Sequence, residues 1–137
     1  QDFFRLTGAV PLIPKYALGN WWSRYKAYTQ EEYRTLMAEF IRRKLPITVA
    51  TIDMDWHYSS KIAERFGYTE EEKAHPELYG STRGWTGYSW NTQLFPDHRD
   101  LLDWLKGNGF HVTLNVHPSQ GIRPYEDCYD AMALAMG

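Results

Sequence analysis

The order strand, helix, strand, long loop, helix, strand, helix predicts an α/β fold built on a parallel sheet, because such alternation requires crossover connections. Three observations carry this reading. The run Ile47-Thr48-Val49-Ala50-Thr51-Ile52 is apolar and β-branched without alternation, as in a strand buried on both faces, and it stops at Asp53-Met54-Asp55-Trp56-His57. Thr29-Gln30-Glu31-Glu32 forms a capping box that opens an amphipathic helix before that strand. Phe110-His111-Val112-Thr113-Leu114-Asn115-Val116 is a further strand that stops at His117-Pro118. A closed (β/α)8 barrel needs eight strands and about 250 residues. The pattern therefore describes either an open three-stranded sheet or a partial (β/α)8 TIM barrel, about its first three β/α units, with a long excursion after the second strand.

Taken in order, residues 1–14 read as a leader, since Pro11 and Pro14 interrupt backbone pairing and Leu6 to Pro14 suits a linker wrapping onto the domain. Tyr16-Ala17-Leu18-Gly19-Asn20-Trp21-Trp22 is short, apolar and bounded by turn formers, which predicts a first buried strand. In the capped helix, Tyr33, Leu36, Met37, Phe40 and Ile41 fall on one stripe, with a basic last turn before Pro46 stops it. From there to about Phe95 the chain is polar and rich in Gly and aromatics. It reads as a folded excursion with a helical turn at Lys61 to Phe66 and a hairpin or tight loop at Gly84 to Asn91. Asp97 caps a helix carrying Leu101, Leu102 and Leu105, which Gly107-Asn108-Gly109 ends, and Pro124 precedes a last helix over Glu126 to Met136.

Composition narrows the function. The 137 residues carry a net charge of −2 with acids and bases interspersed, which lacks the basic footprint that nucleic acid requires. No apolar stretch approaches the ~20 residues of a membrane span. The single cysteine, Cys128, excludes an internal disulfide framework and reads as a small side chain on a helix. Gln1 stands where an initiating methionine would, which reads as a start inside a longer chain. The compartment is unknown on these grounds, with the cytoplasm slightly favoured. Six Trp and ten Tyr are many for one domain, and flat rings with polar tips suit carbohydrate as well as a bulky core.

Asp53 and Asp55 lie at the carboxyl end of the second strand, where parallel sheets place their chemistry. Strand period points both the same way. A carboxylate pair at 5–5.5 Å serves retaining glycosidases as nucleophile and acid. The same residues could instead bind sugar hydroxyls, pair with Arg24, or join His57 and His117 at a metal, although no helical histidine spacing supports a metal site. Trp21, Trp22, Tyr25, Trp56, Trp85, Tyr88 and Trp90 cluster near strand ends and in the excursion, as stacking platforms or as core. No glycine-rich phosphate cradle follows a strand.

Five segments in order resemble glycoside hydrolase family 31, the α-glucosidase and α-xylosidase family: Ala17 to Tyr25, Ile52 to His57, Gly84 to Asn91, Leu94 to Asp97 and Leu114 to Pro118. The resemblance implies that residues 15–137 are the N-terminal part of a catalytic (β/α)8 barrel. It implies too that residues 1–14 lead in from a β-sandwich whose exit strand resembles Asp2 to Gly8. By the same resemblance Asp53 binds the sugar's outer hydroxyls rather than attacking it, and Met54 lines that subsite. Tyr25 supplies an aromatic after the first strand, while Asn115 and His117 lie near the pocket and Trp90 joins the substrate-binding set. Asp55 becomes an orienting or structural carboxylate. The family's catalytic aspartates have no counterpart in this sequence, and no cofactor or metal is implied. The expectation is a piece of a retaining α-glycosidase acting on terminal α-linked glucose or xylose of an oligosaccharide, silent by itself. A noncatalytic carbohydrate-binding or self-assembling module is the alternative. Two open sheet edges predict self-association or contact with the remainder of the enzyme.

Overall fold

The computed structural model describes residues 2–59, 70, 74, 85–123 and 125–137. A parallel sheet has the order β1 (Asn20–Trp22), β2 (Ile47–Ile52) and β3 (His111–Leu114). Its helices are α1 (Asp2–Thr7), α2 (Gln30–Arg42), α3 (His98–Gly107) and α4 (Tyr129–Met136) among the described residues. The predicted turn at Lys61 to Phe66, Gly84 and Pro124 lie outside them.

The central strand behaves as its composition requires. Val49 and Ala50 face opposite ways, and both are fully buried. Ala50 and Ile52 join Tyr33 and Met37 of α2 and Leu101 and Leu105 of α3 in one apolar cluster, whose burial drives the two helices onto the sheet. The buried Tyr33 hydroxyl donates to the Thr51 carbonyl at 3.0 Å, which satisfies it, and burial pushes its ionisation well above the usual phenol range. Between the strands, the Thr51 and Thr113 hydroxyls pair at 2.9 Å, as their register demands.

The capping box forms as read: Glu32 N–H donates to Thr29 Oγ1 at 3.2 Å, and Thr29 N–H donates to Glu32 Oε2 at 2.7 Å. What ends α2 is not Pro46. Lys44 adopts φ +55°, and Leu45 N–H reaches back to the Phe40 carbonyl at 3.0 Å, a left-handed stop made by a lysine where sequence reasoning looks for glycine. Of the predicted stripe, Ile41 stays 40 % exposed. Asp97 caps α3 by accepting from Asp100 N–H at 3.1 Å, and Gly109 takes φ +86° beyond its end.

The amino-terminal expectations need correction. Tyr16 to Trp22 is not one buried strand: Lys15–Leu18 is a 3-10 turn after Pro14, only Asn20–Trp22 pairs with β2, and Asn20 and Trp21 are exposed. Trp22 alone of these turns inward, against Phe40 of α2. Nor is Asp2 to Gly8 extended. It is helical through Thr7, where local bonds suffice: Thr7 Oγ1 donates to the Phe3 carbonyl at 3.0 Å, and Gly8 closes the turn at φ +82°. Residues 2–14 are exposed throughout and do not wrap onto the sheet. The last helix starts at Tyr129 rather than Glu126, with Cys128 at its cap position.

Thr29→Ala removes the hydroxyl that accepts from Glu32 N–H, one half of the capping box, and should lower unfolding stability by about 1 kcal/mol in urea titration. Glu32→Ala added to that variant removes the remaining bond from the residue-29 N–H and should lower the urea midpoint further.

Candidate functional site

The register of β2 and β3, with Ile52 opposite Leu114, delivers the next residues of both strands to the same rim. Asn115 N–H continues the ladder to the Ile52 carbonyl at 3.0 Å. Asp53 and Asn115 therefore meet: Asn115 Nδ2 donates to Asp53 Oδ1 at 2.8 Å. Met54 N–H donates to the same oxygen at 2.7 Å. Both bonds fall on Oδ1, which fixes the carboxylate and leaves Oδ2 to accept from a ligand hydroxyl. Asp53 is half-buried, at the carboxyl end of the central strand.

Asp55 is elsewhere. Met54–Trp56 winds into a 3-10 turn, so strand period no longer applies after Asp53. Asp55 is buried, and its Oδ1 accepts from the Ser59 hydroxyl. The shared cavity expected for the two carboxylates does not form. Trp56 Nε1 donates to the Asn115 carbonyl at 2.8 Å, a strut from the β2 exit to the β3 exit that holds Asn115 under Asp53.

The end of the excursion packs against this turn. Trp90 bridges antiparallel to His57, so the loop pairs with the β2 exit rather than forming a hairpin of its own. Asn91, fully buried, gives its N–H to the Trp56 carbonyl at 2.8 Å, while its side-chain oxygen accepts from Gln93 and Leu94 N–H at 3.1 and 3.3 Å. Sequence reasoning passed over Asn91, although an Asn after an aromatic run, able to fold its amide onto the backbone two residues on, was a readable signal. Ser59, Thr86 and Glu126 were missed too, as buried polar groups that carry no periodic signature.

The remaining candidates fall in different places. Met54 is 6 % exposed and lies beneath the rim. Tyr25, after β1, is exposed. His117 is half-buried, with its ring centroid 5.1 Å from that of Trp85. Trp90 is half-buried: its ring stacks on His98 at 4.6 Å and meets Trp56 and Phe95 at 5.0 and 5.7 Å. Those contacts pack one side of it against the apolar cluster and leave it partly buried. For a metal, Asp55, His57 and His117 do not converge, and no group of three or more such ligands is placed to hold one among the described residues.

Residues 10–136 match the sequence profile of the glycosyl hydrolases family 31 TIM-barrel domain. The chain belongs to that family. An alpha-xylosidase of Saccharolobus solfataricus is 27 % identical over 121 residues, which cover 88 % of this chain and 13 % of that protein. Alpha-glucosidase 2 of Bacillus thermoamyloliquefaciens is 28 % identical over 118 residues, or 86 % and 12 %. The chain thus spans about an eighth of the length of these curated family 31 relatives. A crystal structure of a family 31 alpha-xylosidase from a soil metagenome, complexed with xylose, superposes with a TM-score of 0.61. At 24 % identity, covering 95 % of this chain and 15 % of that one, it establishes the fold: the sheet is part of a (β/α)8 barrel.

Burial holds the His57 imidazole below its ordinary value of 6.5 and His117 adds to this, against the opposing pull of the Tyr58 carbonyl and of the Glu126 and Asp55 carboxylates. The Tyr58 carbonyl only accepts, so Nδ1 carries the proton of the neutral ring. The unfolded chain then binds more protons at His57 than the folded chain once pH falls below about 6.5, and folding stability is lost from there down to the depressed folded value. The urea midpoint should accordingly fall between about pH 7 and pH 5. His57→Gln should flatten that slope, and an unaltered slope in the variant would refute the assignment.

Proposed function

We propose that the chain is part of a retaining α-glycosidase that releases terminal α-linked glucose or xylose from an oligosaccharide, through a covalent glycosyl intermediate that water resolves. The observation that carries this reading is the Asp53 carboxylate, held through Oδ1 by Asn115 and Met54 at the carboxyl rim of β2. An immobilised carboxylate with a free oxygen accepts hydrogen bonds from two sugar hydroxyls without paying to orient itself. Family membership and relatives named alpha-xylosidase and Alpha-glucosidase 2 support the same chemistry.

Asp53 is a binding residue in this reading. A retaining pair needs two carboxyl groups facing one bond, whereas Asp55 is buried against Ser59. Nucleophile and general acid therefore come from sequence outside these 137 residues, and so do the strands that cover the free edges of β1 and β3. In this reading Asn115 and His117, past β3, and Tyr25, past β1, join Asp53 in binding the sugar.

The polypeptide carrying this segment at full length should hydrolyse p-nitrophenyl α-glucoside or α-xyloside. Asp53→Ala should cut kcat/KM by about 100-fold or more, since two charge-assisted hydrogen bonds are lost. The 137-residue chain alone should be silent. Turnover by the chain alone, at a rate that survives Asp53→Ala, would sink the proposal.

A further inference from the structure

We propose that Trp85 determines specificity for the reaction above: its open indole face carries the sugar ring next to the one that Asp53 holds. The inference rests on the proposed role of Asp53 and adds a second contact to it.

Residues 85–89 invert the usual partition of side chains. Thr86 and Ser89 are 0 % and 1 % exposed and Gly87 is buried, while Trp85 and Tyr88 stand 46 % and 41 % exposed. Large rings left in water while small polar groups occupy the interior forgo apolar burial, and exposed aromatics of this kind mark binding surfaces. The inversion is enforced by packing. Gly87 sits at φ +110° so close to the β3 exit that a Cβ there would lie 3.0 Å from His57 Cδ2 and 3.1 Å from Val116 Cγ1. Ser89 Oγ accepts from Asp127 N–H at 2.7 Å. With Gly87 and Ser89 pinned inward, Trp85 and Tyr88 are fixed outward.

Placement gives the ligand. Trp85 meets His117 with ring centroids 5.1 Å apart and planes 85° apart, and a perpendicular neighbour covers at most one of the two indole faces. His117 follows Asn115 by two residues, and Asn115 donates to Asp53. An exposed ring is thus tied, through His117, to the β3 exit whose Asn115 holds Asp53. The C–H face of a pyranose is flat and slightly positive, and it complements the negative face of an indole. Its neighbour at Asp53 would be bound by hydrogen bonds and this ring by stacking, so the pair reads a disaccharide rather than a monosaccharide.

Calorimetric titration of the full-length polypeptide with glucose and with a thio-linked, uncleavable maltose tests this. The disaccharide should bind more tightly than glucose. Trp85→Ala should weaken the disaccharide about tenfold, equivalent to about 1.4 kcal/mol, and leave glucose within about twofold. Trp85→Phe should restore most of the difference, whereas Trp85→Leu, apolar but not flat, should behave as Ala. Equal weakening of both sugars by Trp85→Ala, weakening of neither, or full function in Trp85→Leu overturns the role of Trp85 and leaves Asp53 standing. If Asp53→Ala weakens neither sugar, the reading of Asp53 falls, and this inference falls with it.

Discussion

The parallel register of β2 with β3 is the constraint on which the rest depends. Pairing Ile52 with Leu114 makes Asp53 and Asn115 the first residues past the ladder on adjacent strands. A shift of one residue would turn Asn115 to the opposite face and leave a half-buried carboxylate without its amide donor. The register is itself held from both sides of the sheet. Apolar cover from α2 and α3 fixes Ala50 and Ile52, and the Thr51 to Thr113 hydroxyl pair fixes the alternate positions.

Around that rim the protein spends buried polar groups rather than apolar ones. Asn91 closes three backbone hydrogen bonds, Trp56 ties its indole N–H to the Asn115 carbonyl, and Ser59 serves Asp55. The Asn91 to Trp56 and Trp56 to Asn115 bonds join segments distant in sequence, and loops held in this way stay put. The excursion is thereby part of the scaffold at its carboxyl end. Trp90 and Phe95 are its apolar anchors, and Thr86, Gly87 and Ser89 are its close contacts.

Several large apolar side chains stay in water. Trp21 on β1 and Val116 past β3 are exposed, as are Met132, Leu134 and Met136 of α4. Among the described residues both outer strands have one unpaired side, which in a (β/α)8 barrel belongs to neighbouring strands.

Much of this was legible in the residues. The unalternating run Ile47 to Ile52, the Thr29 to Glu32 box, the Asp97 cap and the leucines of α3 depend on local hydrogen bonds and on periodicity, which the chain carries without outside help. The place of Asp53 at the carboxyl end of the central strand was legible as well, because the apolar run stops there. The lysine stop of α2, the helical Asp2 to Thr7, and the separation of Asp55 from Asp53 were not. Each turns on one backbone conformation, at Lys44, Gly8 or Met54, that propensity ranks only weakly. Nor could sequence sort the tryptophans, because indole chemistry is the same at every position. Trp90 is partly buried because His98, Trp56 and Phe95 pack against it, whereas Trp85 stands open beside the close-packed Gly87 and Ser89. Local propensity determined which elements exist; long-range packing alone decided which carboxylate reaches the rim and which rings stand open to solvent.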